Sequence, residues 1–135
     1  MPLLLDTGVV YALADADDSW HDRARALLSR QREPLLVPVT AVPEITCLLR
    51  KRLRPQTERL FLESIVGGEL GVEALTADDW RRSVELLETY SEIGFVDASV
   101  VAIAERLRLT TIATTDRRHF SKIRPHHVDA FDLVP

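Results

Sequence analysis

Residues 1–15 read MPLLLDTGVVYALAD. Leu3–Leu5 run straight into Asp6, Thr7-Gly8 break the run, and apolar residues resume at Val9, Val10, Ala12 and Leu13. A short apolar stretch closed by a polar turn reads as a buried strand, here Leu3–Asp6, and Thr7–Ala14 reads as the start of a helix. Asp6 has no basic residue within ten positions on either side. A carboxylate in such a setting costs free energy unless something compensates it.

Outward from that stretch the alternation of strand and helix recurs. Asp18–Gln31 carries Trp20, Ala24, Leu27 and Leu28 at helical spacing, and Leu35–Pro38 is a second short apolar strand. Thr40 is placed to cap a helix through about Leu53, with Val42, Ile45, Leu48 and Leu49 on one face. Pro43 falls in its first turn, where a missing N–H costs nothing. Pro55 ends that helix and begins another through about Val66. Gly67-Gly68 is a turn and Gly71–Leu75 a third strand. Thr76-Ala-Asp-Asp79 resembles a capping box with aspartate in the glutamate position, opening a helix with Trp80, Val84, Leu87 and Tyr90 on one side. After Gly94, Val96–Leu107 is apolar almost all round, the pattern of a helix buried on most sides. Leu109–Thr115 is a fourth strand and Val128–Leu133 a candidate fifth.

This order predicts one α/β domain over residues 1–135, a parallel sheet of four to five strands with helices on both faces. At 46% hydrophobic and 28% charged the composition is that of a globular chain. The lone Cys47 excludes an internal disulfide, fits a reducing compartment, and reads as a core residue between apolar helical positions. No apolar stretch is long enough to span a bilayer, and no basic residue precedes Leu3–Leu5 as a signal peptide requires, so a cytoplasmic location is expected. The net charge is −4, yet basic residues cluster. Arg50, Lys51, Arg52 and Arg54 form one group; Arg117, Arg118, His119, Lys122, Arg124, His126 and His127 form another. Such groups are either solvated faces or local attractors for a phosphate-rich ligand.

In parallel sheets of this kind ligands bind beyond the carboxyl ends of the strands. Asp6 and Asp116 end the first and fourth strands, and Glu44 lies in the first turns of the helix after the second. Asp97 opens the most apolar helix and joins them if the loop at Gly94 brings it to that edge. Several carboxylates that close cannot all stay ionised without a cation or a proton. A hard divalent ion, Mg²⁺ or Mn²⁺, with oxygen ligands is the economical solution, and phosphoryl-ester hydrolysis the usual chemistry. Thr114, two residues before Asp116, shares a face with it and could steady a bound water.

Other assignments stay open on the residues alone. Asp6 and Asp97 could cap helices and Glu44 could complement a helix dipole, as in a non-catalytic binding domain. A haloacid-dehalogenase-like Mg²⁺ phosphatase also places an aspartate after its first strand, but it needs a second aspartate two residues on, where this chain has Gly8. No dinucleotide fingerprint, P-loop, nucleophile elbow or zinc spacing occurs. His21, Trp20 and Trp80 read as packing or surface residues.

Taken together, LLLDTGVVYALAD, PEITCLL, GFVDASVVAIAERL and IATTDRRHF resemble the PIN-domain family, and within it the VapC-type toxins of bacterial toxin–antitoxin pairs. The resemblance runs from Leu3 to about Arg124. It implies a three-layer α/β/α sandwich, commonly with five parallel strands, and a Mg²⁺- or Mn²⁺-dependent endoribonuclease acting through metal-activated water to leave a 5′-phosphate and a 3′-hydroxyl. By motif, Asp6, Glu44, Asp97 and Asp116 match the family's four acids, and Thr114 its hydroxyl residue. Asp6 and Asp97 would bind metal most directly. The resemblance also implies a homodimer and a small antitoxin that covers the acidic groove. Pro43 before Glu44 and Thr115 before Asp116 depart from the commonest pattern without removing an acid. Arg50, Lys51, Arg52, Arg54, Arg117 and Arg118 are candidate contacts to RNA phosphates, with single-stranded loops the expected substrate form.

Overall fold

The computed structural model describes residues 1–135. Five strands and seven helices alternate: β1 (Leu3–Leu5), α1 (Thr7–Ala14), α2 (His21–Arg30), β2 (Leu35–Pro38), α3 (Ala41–Arg52), α4 (Pro55–Val66), β3 (Gly71–Glu73), α5 (Ala77–Thr89), α6 (Phe95–Leu107), β4 (Thr111–Ala113), α7 (Arg117–Phe120) and β5 (Asp132–Val134). All strand pairs are parallel, in the order β3-β2-β1-β4-β5. The chain therefore builds outward from β1 to one edge, then returns to β1 and builds to the other. With right-handed crossovers, that reversal puts α1–α4 on one face and α5–α7 on the opposite one.

Side-chain alternation along the strands divides the core in two. Leu3, Leu5, Val37 and Ala113 pack with Val9, Ala24, Ile45, Leu49 and Phe61 from α1–α4. Leu4 and Ile112 pack with Leu86, Val100, Ile103, Ala104 and Phe120 from α5–α7. This is the three-layer sandwich. Helix α6 is buried without a break from Ala98 to Ala104, because it lies between the sheet and α5. No helix is long and apolar enough to cross a membrane.

Several local expectations shift. The fifth strand is Asp132–Val134 rather than Val128–Leu133; Thr111, Ile112 and Ala113 pair with Asp132, Leu133 and Val134. The apolar side of α5 faces outward: Trp80, Val84 and Leu87 are exposed, with Trp80 stacked on Phe95 at 5.2 Å between ring centroids. The buried positions are Asp79, Ser83 and Leu86, because α5 meets α6 largely through charge. Arg82 is paired with Glu105 at 2.9 Å and Arg106 with Asp79 at 3.0 Å. The capping box of Thr76 and Asp79 forms as expected. Cys47 is exposed rather than in the core, since Ile45 and Leu49 take the inward positions of α3. Thr40 does not cap α3; its hydroxyl goes to Ser99 on α6 instead.

Candidate acidic site at the sheet's switch point

The strand order reverses between β1 and β4, the place where open parallel sheets bind ligands beyond the carboxyl ends of their strands. Asp6 follows β1 directly and caps α1, its Oδ1 accepting from the Thr7 backbone N–H at 2.9 Å. The capping role is thus real, but it uses only one carboxylate oxygen. The other, Oδ2, accepts from the Thr114 hydroxyl at 3.0 Å. Thr114, just past β4 and fully buried, in turn accepts from the Asp116 backbone N–H at 2.9 Å. One hydroxyl thereby ties the end of β1 to the end of β4. Its proton is committed to Asp6, so it positions that carboxylate rather than steadying a water.

Asp97 is the third residue of α6, which Gly94 caps through its backbone alone. A chain of hydroxyls fixes this helix start to the start of α3: Ser99 donates to the Val96 carbonyl at 2.6 Å, which leaves Thr40 as donor to Ser99, also at 2.6 Å. Glu44, exposed in the first turn of α3, is held on the same edge by that contact. Asp116 opens α7, accepting from the His119 N–H at 3.1 Å and the His119 ring Nδ1 at 2.7 Å. A carboxylate only accepts, so Nδ1 carries the proton and Nε2 is left with the free position. Single ligand atoms of Asp97, Asp116 and His119 lie within 4.8 Å of one another.

The acids bear on one another electrostatically. Asp6 is only 7% exposed, and burial pushes its carboxyl up to about 6 despite the Thr7 N–H; the charges of Asp97 and Glu44 push the same way. Asp97 is likewise raised, by burial first and then by Asp116, with Glu44 adding to it and the Gly94 N–H and His119 opposing. No Lys or Arg pairs with Asp6, Glu44 or Asp97, and the only ion-pair partner of Asp116 is His119. The Thr7 hydroxyl beside Asp6 is buried with no partner. Asp97, Asp116 and His119 are the groups close enough to share one ion, while Asp6 and Glu44 lie near enough for their charges to bear on this cluster, a carboxylate-rich arrangement of the kind that suits a hard divalent cation.

His119 is the site residue that sequence reasoning left among the surface cations. Its spacing from Asp116, three residues along a single helical turn, was the available clue. The basic groups divide. Arg117 and Arg118 follow Asp116 directly and are exposed. Arg50, Lys51 and Arg52 lie at the far end of α3, about 9–12 Å along its axis from Glu44, and Arg54 just beyond it at the start of α4. There Arg50 pairs with Glu58 and Arg52 lies 5.5 Å from the Tyr11 ring. Gly8 has a steric reason: any side chain there would run into the Thr115 hydroxyl. A second aspartate of the dehalogenase type would require Thr115 to shift, and Thr115 is the matching half of that contact.

The PIN domain family model matches residues 3–124. Ribonuclease VapC26 of Mycobacterium tuberculosis is 29% identical, over 98% of this chain and all of the relative. Among solved structures, VapC20 of M. tuberculosis, described as a sarcin-ricin loop cleaving toxin, superposes with a TM-score of 0.80 at 22% identity, covering 87% of this chain and 92% of that one. VapBC2 of Rickettsia felis, bound to a DNA fragment from its promoter, gives 0.72 at 16% identity with both chains fully covered. A toxin–antitoxin complex from Klebsiella pneumoniae gives 0.70 at 21%, covering 90% and 92%. At those identities the structures attest to the fold alone. The family match spans nearly the whole chain and includes Asp6, Glu44, Asp97 and Asp116, and on that ground this chain belongs to the PIN-domain family.

Proposed function

We propose that this chain is a divalent-metal-dependent endoribonuclease, the toxin of a toxin–antitoxin pair, with Asp6, Glu44, Asp97 and Asp116 as its metal-holding acids. The observation that carries this is the gathering of four carboxylates at the β1/β4 switch point with no Lys or Arg to balance them. The relative named a ribonuclease and the neighbours named as toxins and toxin–antitoxin complexes support the same assignment.

Asp6 and Asp97 would hold the ion most directly, with Asp116 and Glu44 completing its surroundings. A divalent cation so held supplies Lewis acidity, acidifying water and neutralising charge on the phosphate. Mg²⁺ and Mn²⁺ both suit an all-oxygen set; an imidazole ligand is better tolerated by Mn²⁺. The chain's own residues do the positioning. Thr114 fixes the Asp6 carboxylate and the start of the Asp116 turn together. Thr40 and Ser99 fix the helix starts that carry Glu44 and Asp97. His119 Nδ1–H orients Asp116, which leaves Nε2 as the free position of the ring at the edge of the site. Arg117 and Arg118 supply positive charge beside the acids for the phosphates of a single strand, and the exposed Trp80–Phe95 face offers apolar area for a second copy.

The test is to incubate the purified chain with single-stranded RNA and map the ends. Cuts bearing 5′-phosphates that require Mg²⁺ or Mn²⁺ and vanish in Asp97→Asn are expected. Identical ends from the variant and the unmutated chain would sink the catalytic assignment.

A further inference from the structure

Beside the acids lies a separate cavity of about 200 Å³ between the end of α5, the turn Ser91–Ile93 and the residues around α7. His119 belongs to both places. Its Nδ1 bonds Asp116 in the acid cluster, and its ring also lines this cavity.

We propose that the cavity seats one base of the RNA strand, next to the phosphate held at the acids, and that it favours guanine. The proposal rests on the ribonuclease assignment above. Its volume is below the roughly 300–1,000 Å³ of sites for drug-sized ligands, which leaves room for one heterocycle and not for a peptide helix. Its lining suits a flat ring with a polar edge. Ile93 is buried and Tyr90 half-buried, giving an apolar wall, while Thr89 and Ser91 bring hydroxyls. At its margin Lys122 donates to Glu92 at 2.8 Å, and each of these two side chains is 52% exposed. Lys122 beside Glu92 holds the glutamate below the usual carboxylate range, so it is an acceptor at neutral pH. Unstacked bases of single-stranded RNA are read through their Watson–Crick edges. Only guanine offers two adjacent N–H donors for a carboxylate together with a carbonyl for an ammonium, and with Lys122 seated on Oε2, the Glu92 Oε1 and the remaining Lys122 protons are the groups left to meet that edge.

Two measurements test this and keep its failure distinct from failure of the nuclease assignment. The first needs no cleavage: titrate the full chain, in Mg²⁺ to balance the acids, with each of the four nucleoside 5′-monophosphates, none of which has a phosphodiester to cut, and follow backbone amide shifts. Shifts at Thr89, Ser91 and Glu92, largest with the guanine nucleotide, are expected. Glu92→Gln should weaken that affinity about tenfold, the usual cost of a lost bidentate base contact, and Ser91→Trp should abolish it by filling the cavity. Equal shifts with all four nucleotides, shifts only elsewhere, or affinity unchanged in Glu92→Gln overturn the proposal. The second maps cuts in an RNA of random sequence. A guanine preference at one position flanking the cut, relaxed in Glu92→Gln, supports the seat; cutting with no flanking preference overturns it and leaves the nuclease assignment standing. Where the unmutated chain makes no cut at all, the nuclease assignment falls and the titration alone decides whether the base site exists.

Discussion

Replacing Asp6 by asparagine should make the metal-free protein more stable at neutral pH. Burial raises the Asp6 carboxyl from 3.8 to about 6, so the folded state holds its proton more tightly than the unfolded chain does. The sign follows from proton linkage: Asp6 contributes stability that is fully present below pH 3.8 and is lost as pH rises through about 6. At about 1.4 kcal/mol per unit, the fold gives up about 3 kcal/mol by the time Asp6 is ionised. Asparagine removes the charge but keeps only one oxygen, so one of the bonds from Thr7 and Thr114 is lost, at about 1 kcal/mol. The net expectation is a gain of about 2 kcal/mol near neutral pH that disappears near pH 4. Urea unfolding in the presence of chelator, at both pH values, measures it. Adding Mn²⁺ should then reverse the ranking, because only the unmutated chain gains stability by binding the ion. A variant less stable than the unmutated chain at neutral pH in chelator, or a stability gap that does not change with pH, refutes the claim that Asp6 is an uncompensated buried charge.

Further expectations follow from neighbouring contacts. Thr114→Val keeps the shape but leaves the Asp116 N–H and Asp6 Oδ2 without their partner; a loss of about 1–3 kcal/mol in urea unfolding is expected, with weaker Mn²⁺ binding by calorimetry. Arg106→Met strips the cation from buried Asp79 and should cost roughly 2–3 kcal/mol, less than a fully buried pair because Arg106 itself is partly exposed. Arg108 closes α6 in the left-handed region at φ 58°, so Arg108→Gly should raise stability by about 0.5–1 kcal/mol in the same assay.

The parts of the fold that could be read from the sequence are those where one local pattern decides. Leu3–Leu5 and the apolar stretch of α6 are continuous runs whose burial follows from composition, and Asp6 is conspicuous because it terminates one of them. Glu44 and Asp97 were placeable because helices following parallel strands start on a common edge. The remainder depends on partners far away in the chain. β5 is a three-residue edge strand whose position is set by pairing with β4, not by its own hydrophobicity. α5 turns Trp80 outward because Asp79 and Arg82 find Arg106 and Glu105 on α6, and no periodicity within α5 reports that. Thr114 looked free to hold a water because its bond to Asp6 spans 108 residues. His119 reads as one more cation of a basic run because its contact with Asp116 arises only once α7 forms.

The rate of RNA cleavage as a function of Mn²⁺ concentration, measured for the unmutated chain and for Asp97→Asn, bears most directly on whether the acids at the β1/β4 switch point form a metal-dependent nuclease centre. The unmutated chain should cut at a rate that rises with Mn²⁺ to saturation and is zero in chelator, and Asp97→Asn should show no cutting at any concentration that saturates the unmutated chain. Cleavage that persists in chelator, or an Asp97→Asn variant that follows the same saturation curve, would contradict it.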